Sequence, residues 1–347
     1  MTSLHDVFEQ IQPVDPQWIS RARARQLELT KPPGSLGRLE EVANRVAAIQ
    51  GTLTPTADRA RIVLFAADHG VCAEGVNPYP QAVTAQMVAN FLRGGAAINA
   101  LARSAGVELE IVDAGVAHDI PLTEGLICRP IGRGTANFCT GPAMAERQAV
   151  AALMLGVERS EGTTDVLGMG EMGIANTTAA SAVTAALTGL APAAVIGRGT
   201  GADDETMARK CSAVERALEL HGPHLHGPLD ILERLGGFEI GAIAGLCLGA
   251  AARRCAVLVD GFIATAAAAL AVRFHPAVRD YLIPAHRSTE PGHAPLLEII
   301  GHRPLLDLEM RLGEGTGAAL AVPIVRAAVA AFTGMATFAS AGVAEAT

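Results

Sequence analysis

The sequence predicts an α/β protein built on an open, mostly parallel sheet with helices on both faces. Three observations lead there. Apolar runs of strand length alternate with stretches of helical spacing. Several of those runs end in acids or glycines, at Asp68, Asp113, Gly168 and Asp260, where parallel strands deliver side chains to a ligand-binding edge. Half of the 347 residues are hydrophobic yet only 3% are aromatic, so Ala, Val, Leu and Ile with 37 glycines must form a closely packed core.

A formal charge of −8 and a pI near 5.7 speak against a nucleic-acid or anionic-membrane surface and favour small ligands as partners. The six cysteines, Cys72, Cys128, Cys139, Cys211, Cys247 and Cys255, show no C-x-x-C spacing, so neither disulfides nor structural zinc is expected. Met1 to Arg25 lacks the apolar core of a signal peptide, and the expected compartment is the cytoplasm. The most hydrophobic region, Ile240 to Val272, is broken by Arg253, Arg254 and Asp260 into runs too short to span a bilayer.

In chain order, Val7-Phe8 and Trp18-Ile19 mark a helical prelude interrupted by Pro13 and Pro16. Lys31 to Glu40, KPPGSLGRLE, is a stiff turn feeding a helix with Leu39, Val42, Val46 and Ile49 on one face; it reads as a helix boundary or as a ligand-contacting loop. Arg61 to Ala67 is a strand ending in Asp68-His69-Gly70, which suits a buried hydrogen-bonded turn better than a metal pair or a catalytic dyad. A loop follows, then a helix through Val83, Met87, Val88, Phe91 and Leu92 that stops at Gly94-Gly95. Val107 to Asp113 is the next strand, and a helix is predicted from about Pro142 to Glu158.

Asp165 to Thr178, DVLGMGEMGIANTT, reads as strand, glycine turn and helix start. Its Gly168, Gly170 and Gly173 match G-x-G-x-x-G, but no acid follows between Glu171 and Asp203 for a dinucleotide's ribose. Asn176, Thr177 and Thr178 add donors at the helix start, which suits one terminal phosphate. Ala193 to Ile196 leads into a second glycine loop, GRGTGADD from Gly197, and then a helix from Asp204 to Leu220 carrying Arg209 and Lys210. Positive groups near two glycine-rich strand ends would hold a phosphate monoester, although solvated helix charges are the plainer reading.

Gly236 to Ile240 opens another apolar helix, and Cys255 to Gly261 is a strand with Asp260 at its carboxyl end. His286, His293 and His302 match no helical metal spacing and read as loop histidines with ordinary hydrogen bonds. In Met310 to Ala321, Glu314 stands between glycines before a long apolar helix, either facing a ligand or complementing the helix dipole. No Walker lysine, nucleophile elbow or Cys-His cluster is present, and a single general base is left.

The motifs KPPGSLGRLE, ADHG (Ala67 to Gly70), GEMGIANTT (Gly170 to Thr178), GRGTGADD and RLGEGTGAA (Arg311 to Ala319) together resemble the nicotinate-nucleotide–dimethylbenzimidazole phosphoribosyltransferase family over residues 25 to 335. The resemblance implies transfer of the phosphoribosyl group of nicotinate mononucleotide to 5,6-dimethylbenzimidazole, with Glu314 as general base and neither metal nor cofactor. By position it places phosphate and ribose on Glu171, Met172, Gly173, Ile174, Ala175, Asn176, Thr177, Thr178, Gly199, Thr200, Gly201 and Lys210, and the base on Tyr79, Gln86 and Leu312. Ala175 departs from the glycine often found there, which matters if that residue needs a positive φ. The resemblance further implies a homodimer with a Rossmann-like large domain, here 31–289, and a small helical domain from 1–30 and 290–347. An NAD-dependent oxidoreductase and a non-catalytic nucleotide-binding protein are the alternatives.

Overall fold

The computed structural model describes residues 3–120, 123–199 and 201–344. Its centre is a six-stranded sheet of β1 (Ala60–Ala67), β2 (Glu108–Gly115), β3 (Leu126–Cys128), β4 (Val166–Met172), β5 (Ala256–Val259) and β6 (Leu282–Pro284). Every pairing is parallel, in the order β3-β2-β1-β4-β5-β6. That order reverses between β1 and β4, and the crevice beyond the carboxyl ends of strands at such a point is where α/β sheets bind ligands.

Helices cover both faces. Phe238–Ala252 lies on β1, β2, β4 and β5, with Glu146–Arg159 packed against it, while Thr316–Gly334 lies on β1, β4 and β5 beside Arg38–Gln50 and Ala97–Ala105. Helix Pro16–Glu28 packs on Arg38–Gln50, and Leu29 bridges to Thr337, so the two ends of the chain meet. Thr316–Gly334 is the one described helix long and apolar enough to cross a bilayer, and its apolar length is used on the sheet.

Small residues let these layers approach. Helices Glu146–Arg159 and Phe238–Ala252 touch backbone to backbone: a methyl group on Gly156 would collide with the Ala242 carbonyl, and one on Gly245 with the Leu153 carbonyl. A chain poor in aromatics gains its packing by shortening interlayer distances rather than by filling them.

The glycine-rich stretch differs from its sequence reading. Gly168 and Gly170 are not in a turn but inside β4, which runs through Met172, and the helix starts only at Asn176. The reason is long-range: a methyl on Gly170 would strike the Glu314 backbone and one on Gly168 would crowd Ile62 and Ala318, so both are bare strand surface under a distant segment. Ala193 to Ile196, read as a strand lead, instead contains the short helix Pro192–Val195, opened by proline at its first position. The helix expected from Pro142 begins at Glu146, and β3 and β6, only 3 residues each, carry too little pattern to be read.

Gly156→Ala should lower the free energy of unfolding by about 2–3 kcal/mol through backbone overpacking, measured as a shift of the urea midpoint. An unchanged midpoint would contradict the close contact of the two helices.

Candidate active site

At the carboxyl edge of β1, Asp68 is fully buried. Its Oδ1 accepts from Thr84 Oγ1 at 2.7 Å and its Oδ2 from the Ala117 N–H at 2.8 Å. Thr84 Oγ1 in turn accepts from the Ile174 N–H at 3.0 Å. Asp68 thereby ties β1 to helix Val83–Leu92 and to the loop after β4. His69 beside it pairs with Glu239 at 2.6 Å, also buried, which confirms the hydrogen-bonded turn.

Asp260, at the end of β5, is the second anchor. Its Oδ1 accepts the N–H groups of Gly317 (2.7 Å) and Ala318 (3.0 Å), and its Oδ2 that of Gly315 (3.1 Å), at the start of helix Thr316–Gly334. A carboxylate at a helix N-terminus satisfies donors that lack an intrahelical partner and opposes the dipole. Burial pushes Asp260 above its ordinary pKa, with the neighbouring His286 and these N–H groups acting against the shift.

Between these anchors Gly313, Glu314 and Gly315 run through three successive left-handed residues, with φ of 84°, 62° and 84°. Glycine takes this conformation freely; for Glu314 it costs about 1–2 kcal/mol. The conformation is held by its surroundings. The Glu314 N–H donates to the Glu171 carboxylate, and the Glu314 carboxylate accepts from the Ile98 N–H at the first turn of helix Ala97–Ala105. Glu314 is 6% exposed, and its Oε2 has no hydrogen-bond partner among the described residues. Burial, and then the Asp260 charge, raise its pKa. Glu171 is pushed well above the usual carboxylate range by burial and by Asp260, against the opposing hydrogen bond from Asn176.

Glu314 and Glu171 face a cavity of about 730 Å³. Met172, Gly173, Ile174, Asn176, Thr177, Gly199, Tyr79 and Leu312 also line it, so most of the residues singled out in the sequence meet in one place. Lys210 stands behind this wall: buried, it donates to Thr177 Oγ1 at 3.3 Å and to the Gly197 carbonyl at 2.9 Å, and burial lowers its pKa. Its burial overturns the plainer reading of a solvated helix charge.

Of the other expected residues, Ala175, Thr178, Gly201 and Gln86 are not on the cavity wall. Ala175 takes the left-handed conformation, φ 74°, so the loop keeps the backbone that glycine would adopt freely. Thr178 is buried inside the helix start, and Gly201 is exposed. Thr200 lies outside the described residues. Gln86 is exposed, whereas Met87 and Val83 on the same helix line the cavity; one residue is a 100° rotation about a helix axis.

Residues not anticipated complete the enclosure: Phe262, Ile263, Arg311, and the polar set His286, Ser288 and Glu290. Arg311 Nη1 donates to the Gly199 carbonyl at 2.7 Å, joining the second glycine loop to the Glu314 loop. A signal for Arg311 and Phe262 was present, since each is within three residues of an acid read as important. Among the described residues no group of three or more His, Cys, Asp or Glu side chains is arranged to hold a metal ion. Another depression, about 650 Å³, runs along helix Glu146–Arg159 beside Arg129, Pro130 and Ile131, which follow β3.

A phosphoribosyltransferase family model matches residues 11–343. The nicotinate-nucleotide–dimethylbenzimidazole phosphoribosyltransferase of Geobacter sulfurreducens is 51% identical over 350 residues, covering 99% of each chain. Its counterpart from Azotobacter vinelandii is 53% identical over 339 residues, covering 96% of each. A crystal structure of the Thermus thermophilus enzyme of the same name is similar with a TM-score of 0.90 and 49% identity, over 96% of this chain and all of that one.

Asp260→Asn should turn one accepting oxygen into a donor facing the Gly315 N–H. The expected loss of stability is about 1–3 kcal/mol, from a buried donor left without an acceptor. Chemical denaturation followed by circular dichroism reads it, and full wild-type stability would show that the Glu314 loop does not rely on Asp260.

Proposed function

The chain belongs to the nicotinate-nucleotide–dimethylbenzimidazole phosphoribosyltransferase family, and from that premise we propose that it transfers the 5-phosphoribosyl group of nicotinate mononucleotide to 5,6-dimethylbenzimidazole, giving α-ribazole 5′-phosphate and nicotinate. The observation that carries the proposal for the chemistry is the buried Glu314 carboxylate, anchored through one oxygen and free at the other, on the wall of a cavity that also holds the β4 loop.

One benzimidazole nitrogen attacks the anomeric carbon as the bond to nicotinate breaks. The attacking ring becomes cationic and its other N–H acidic, and Glu314 Oε2 takes that proton. The leaving group departs from a pyridinium as a pyridine neutral at its ring nitrogen, so no acid has to protonate it. A raised pKa makes Glu314 a stronger base nearer neutral pH. Thr177 and Gly199 form the end of the cavity suited to the phosphate, with Lys210 as the buried cation behind them. Tyr79, Met87, Val83 and Leu312 form the apolar end suited to a benzimidazole ring.

The oxidoreductase alternative rested on the glycine fingerprint, and Gly168 and Gly170 lie within β4 rather than in a phosphate turn. A binding protein without chemistry would have no use for a strained, buried carboxylate at the cavity wall. We further propose that the protein acts as a homodimer in the cytoplasm, without nucleic acid or membrane; the charge of −8 supports the last two points.

Purified protein given both substrates should release nicotinate without added metal. Glu314→Gln should lower kcat by about 10²–10⁴-fold, the usual worth of a general base, while the KM for nicotinate mononucleotide changes little. Because the base form of Glu314 is lost as pH falls through a raised pKa, wild-type kcat/KM should decline on the acidic side at a higher pH than an ordinary glutamate gives. That limb should vanish in the variant; normal turnover by Glu314→Gln would assign the proton to another group.

A further inference from the structure

Helix Asp204–His221 carries two adjacent cations that serve different places. One step turns a helix by 100°, so Arg209 and Lys210 leave it in different directions. Lys210 is buried against Thr177 and the Gly197 carbonyl, behind the phosphate end of the cavity. Arg209 is half-buried, and its Nε donates to the Gly75 carbonyl at 2.8 Å. Two neighbours on its own helix aim it there: Nη1 donates to Glu205 Oε1 at 2.6 Å and Nη2 to Thr206 Oγ1 at 2.8 Å. A planar guanidinium held at three points is a directed donor and not a loose surface charge.

The same helix makes a second contact with the same turn. Arg216 lies seven residues on, close to two full turns, so it shares a face with Arg209. Its Nη2 donates to Glu74 Oε2 at 2.5 Å, and Glu74 Oε1 accepts from Asn137 Nδ2, also at 2.5 Å. The hydrogen bonds from Arg216 and Asn137 hold the Glu74 carboxyl below its ordinary pKa. Gly75 takes a φ of 66°, and a methyl there would stand 3.3 Å from Arg209 Nε, so glycine both makes the turn and leaves the guanidinium room.

The loop that follows has little else to fix it. From Val76 to Ala82 only Val76 is buried, and segments with so few buried contacts open at low cost. Gln81 Nε2 adds a tether to the His69 carbonyl at 3.2 Å. This loop nevertheless brings Tyr79 to the apolar end of the cavity and leads into the helix of Val83 and Met87. Tyr79 is 49% exposed, so its own packing does not set its place. We propose that Arg209 is a positioning residue for the attacking base: by holding Gly75 against helix Asp204–His221 it fixes Tyr79 at the apolar end of the cavity. The helix that backs the phosphate end thereby also sets the base end. The role rests on the reaction and the two cavity ends proposed above.

Initial rates with each substrate varied against a saturating partner test it. Arg209→Met, which keeps the length of the side chain and removes its donors, should raise the KM for dimethylbenzimidazole about tenfold, the worth of one hydrogen bond from a charged donor. The KM for nicotinate mononucleotide and kcat should stay near wild type. Arg209→Gln should recover most of the loss, because its amide nitrogen stands as many bonds from the backbone as Arg Nε and carries no charge. In a Tyr79→Ala background Arg209→Met should add little, since residues acting through one another are not additive. An unchanged KM for dimethylbenzimidazole overturns the role, and so does an increase confined to nicotinate mononucleotide, which would make Arg209 a phosphate cation. No recovery with Arg209→Gln assigns the effect to charge and overturns it too, as does a full further increase in the Tyr79→Ala background. If Arg209→Met does not fold, Arg209→Ala is read in its place. Wild-type enzyme that releases no nicotinate sinks the reaction itself, whereas normal turnover with an unmoved KM sinks the role of Arg209 alone.

Discussion

The cavity depends on the way one buried carboxylate, Asp260, gathers the backbone N–H groups of Gly315, Gly317 and Ala318. That contact brings the C-terminal helix down on the sheet with its first turn beside β4. The approach is possible because β4 carries no side chain at Gly168 and Gly170, where the Glu314 backbone and Ala318 take the space. Helix position, loop conformation and the direction of the Glu314 side chain therefore follow from one acid and two glycines separated by some 90 residues of chain.

A cluster of three buried acids, Glu171, Asp260 and Glu314, would be unfavourable if each were charged and unpaired. The structure handles each differently. Asp260 accepts three backbone donors, which favour its charged form. Glu171 has burial and a neighbouring charge against ionisation, and its pKa is raised well above the usual carboxylate range. Glu314 is raised too, but one of its oxygens is held by a helix N-terminal N–H and the other has no partner among the described residues. Acids whose environments push their pKa values apart can take distinct roles within one site.

Much of this was legible in the residues. The strand ends at Asp68 and Asp260 are where the reading put them, since an apolar run stopping at an acid needs only local pattern, whereas β2 runs two residues past Asp113 to Gly115. The parallel sheet followed from alternation, and Glu314 from its glycine neighbours. What failed was long-range or finely registered. Gly168 and Gly170 imitate a turn motif, and only the distant loop resting on them explains them as strand. Met87, not named as a site residue beforehand, lines the cavity one step along the helix from Gln86, since a single step turns a helix by 100°. In His286-Arg287-Ser288-Thr289-Glu290 every residue is polar, so burial alternates with no hydrophobic alternation to reveal it. The buried polar residues there line a site instead of a core.

The central claim is that the free oxygen of Glu314 is placed to take the proton of the attacking base. A crystal structure with α-ribazole 5′-phosphate bound tests it most directly. The account predicts the benzimidazole nitrogen not bonded to ribose within hydrogen-bonding reach of Glu314, about 2.6–3.2 Å, with the phosphate at Thr177 and Gly199, in front of Lys210. A product whose benzimidazole points away from Glu314, or whose phosphate lies outside that end of the cavity, would contradict it.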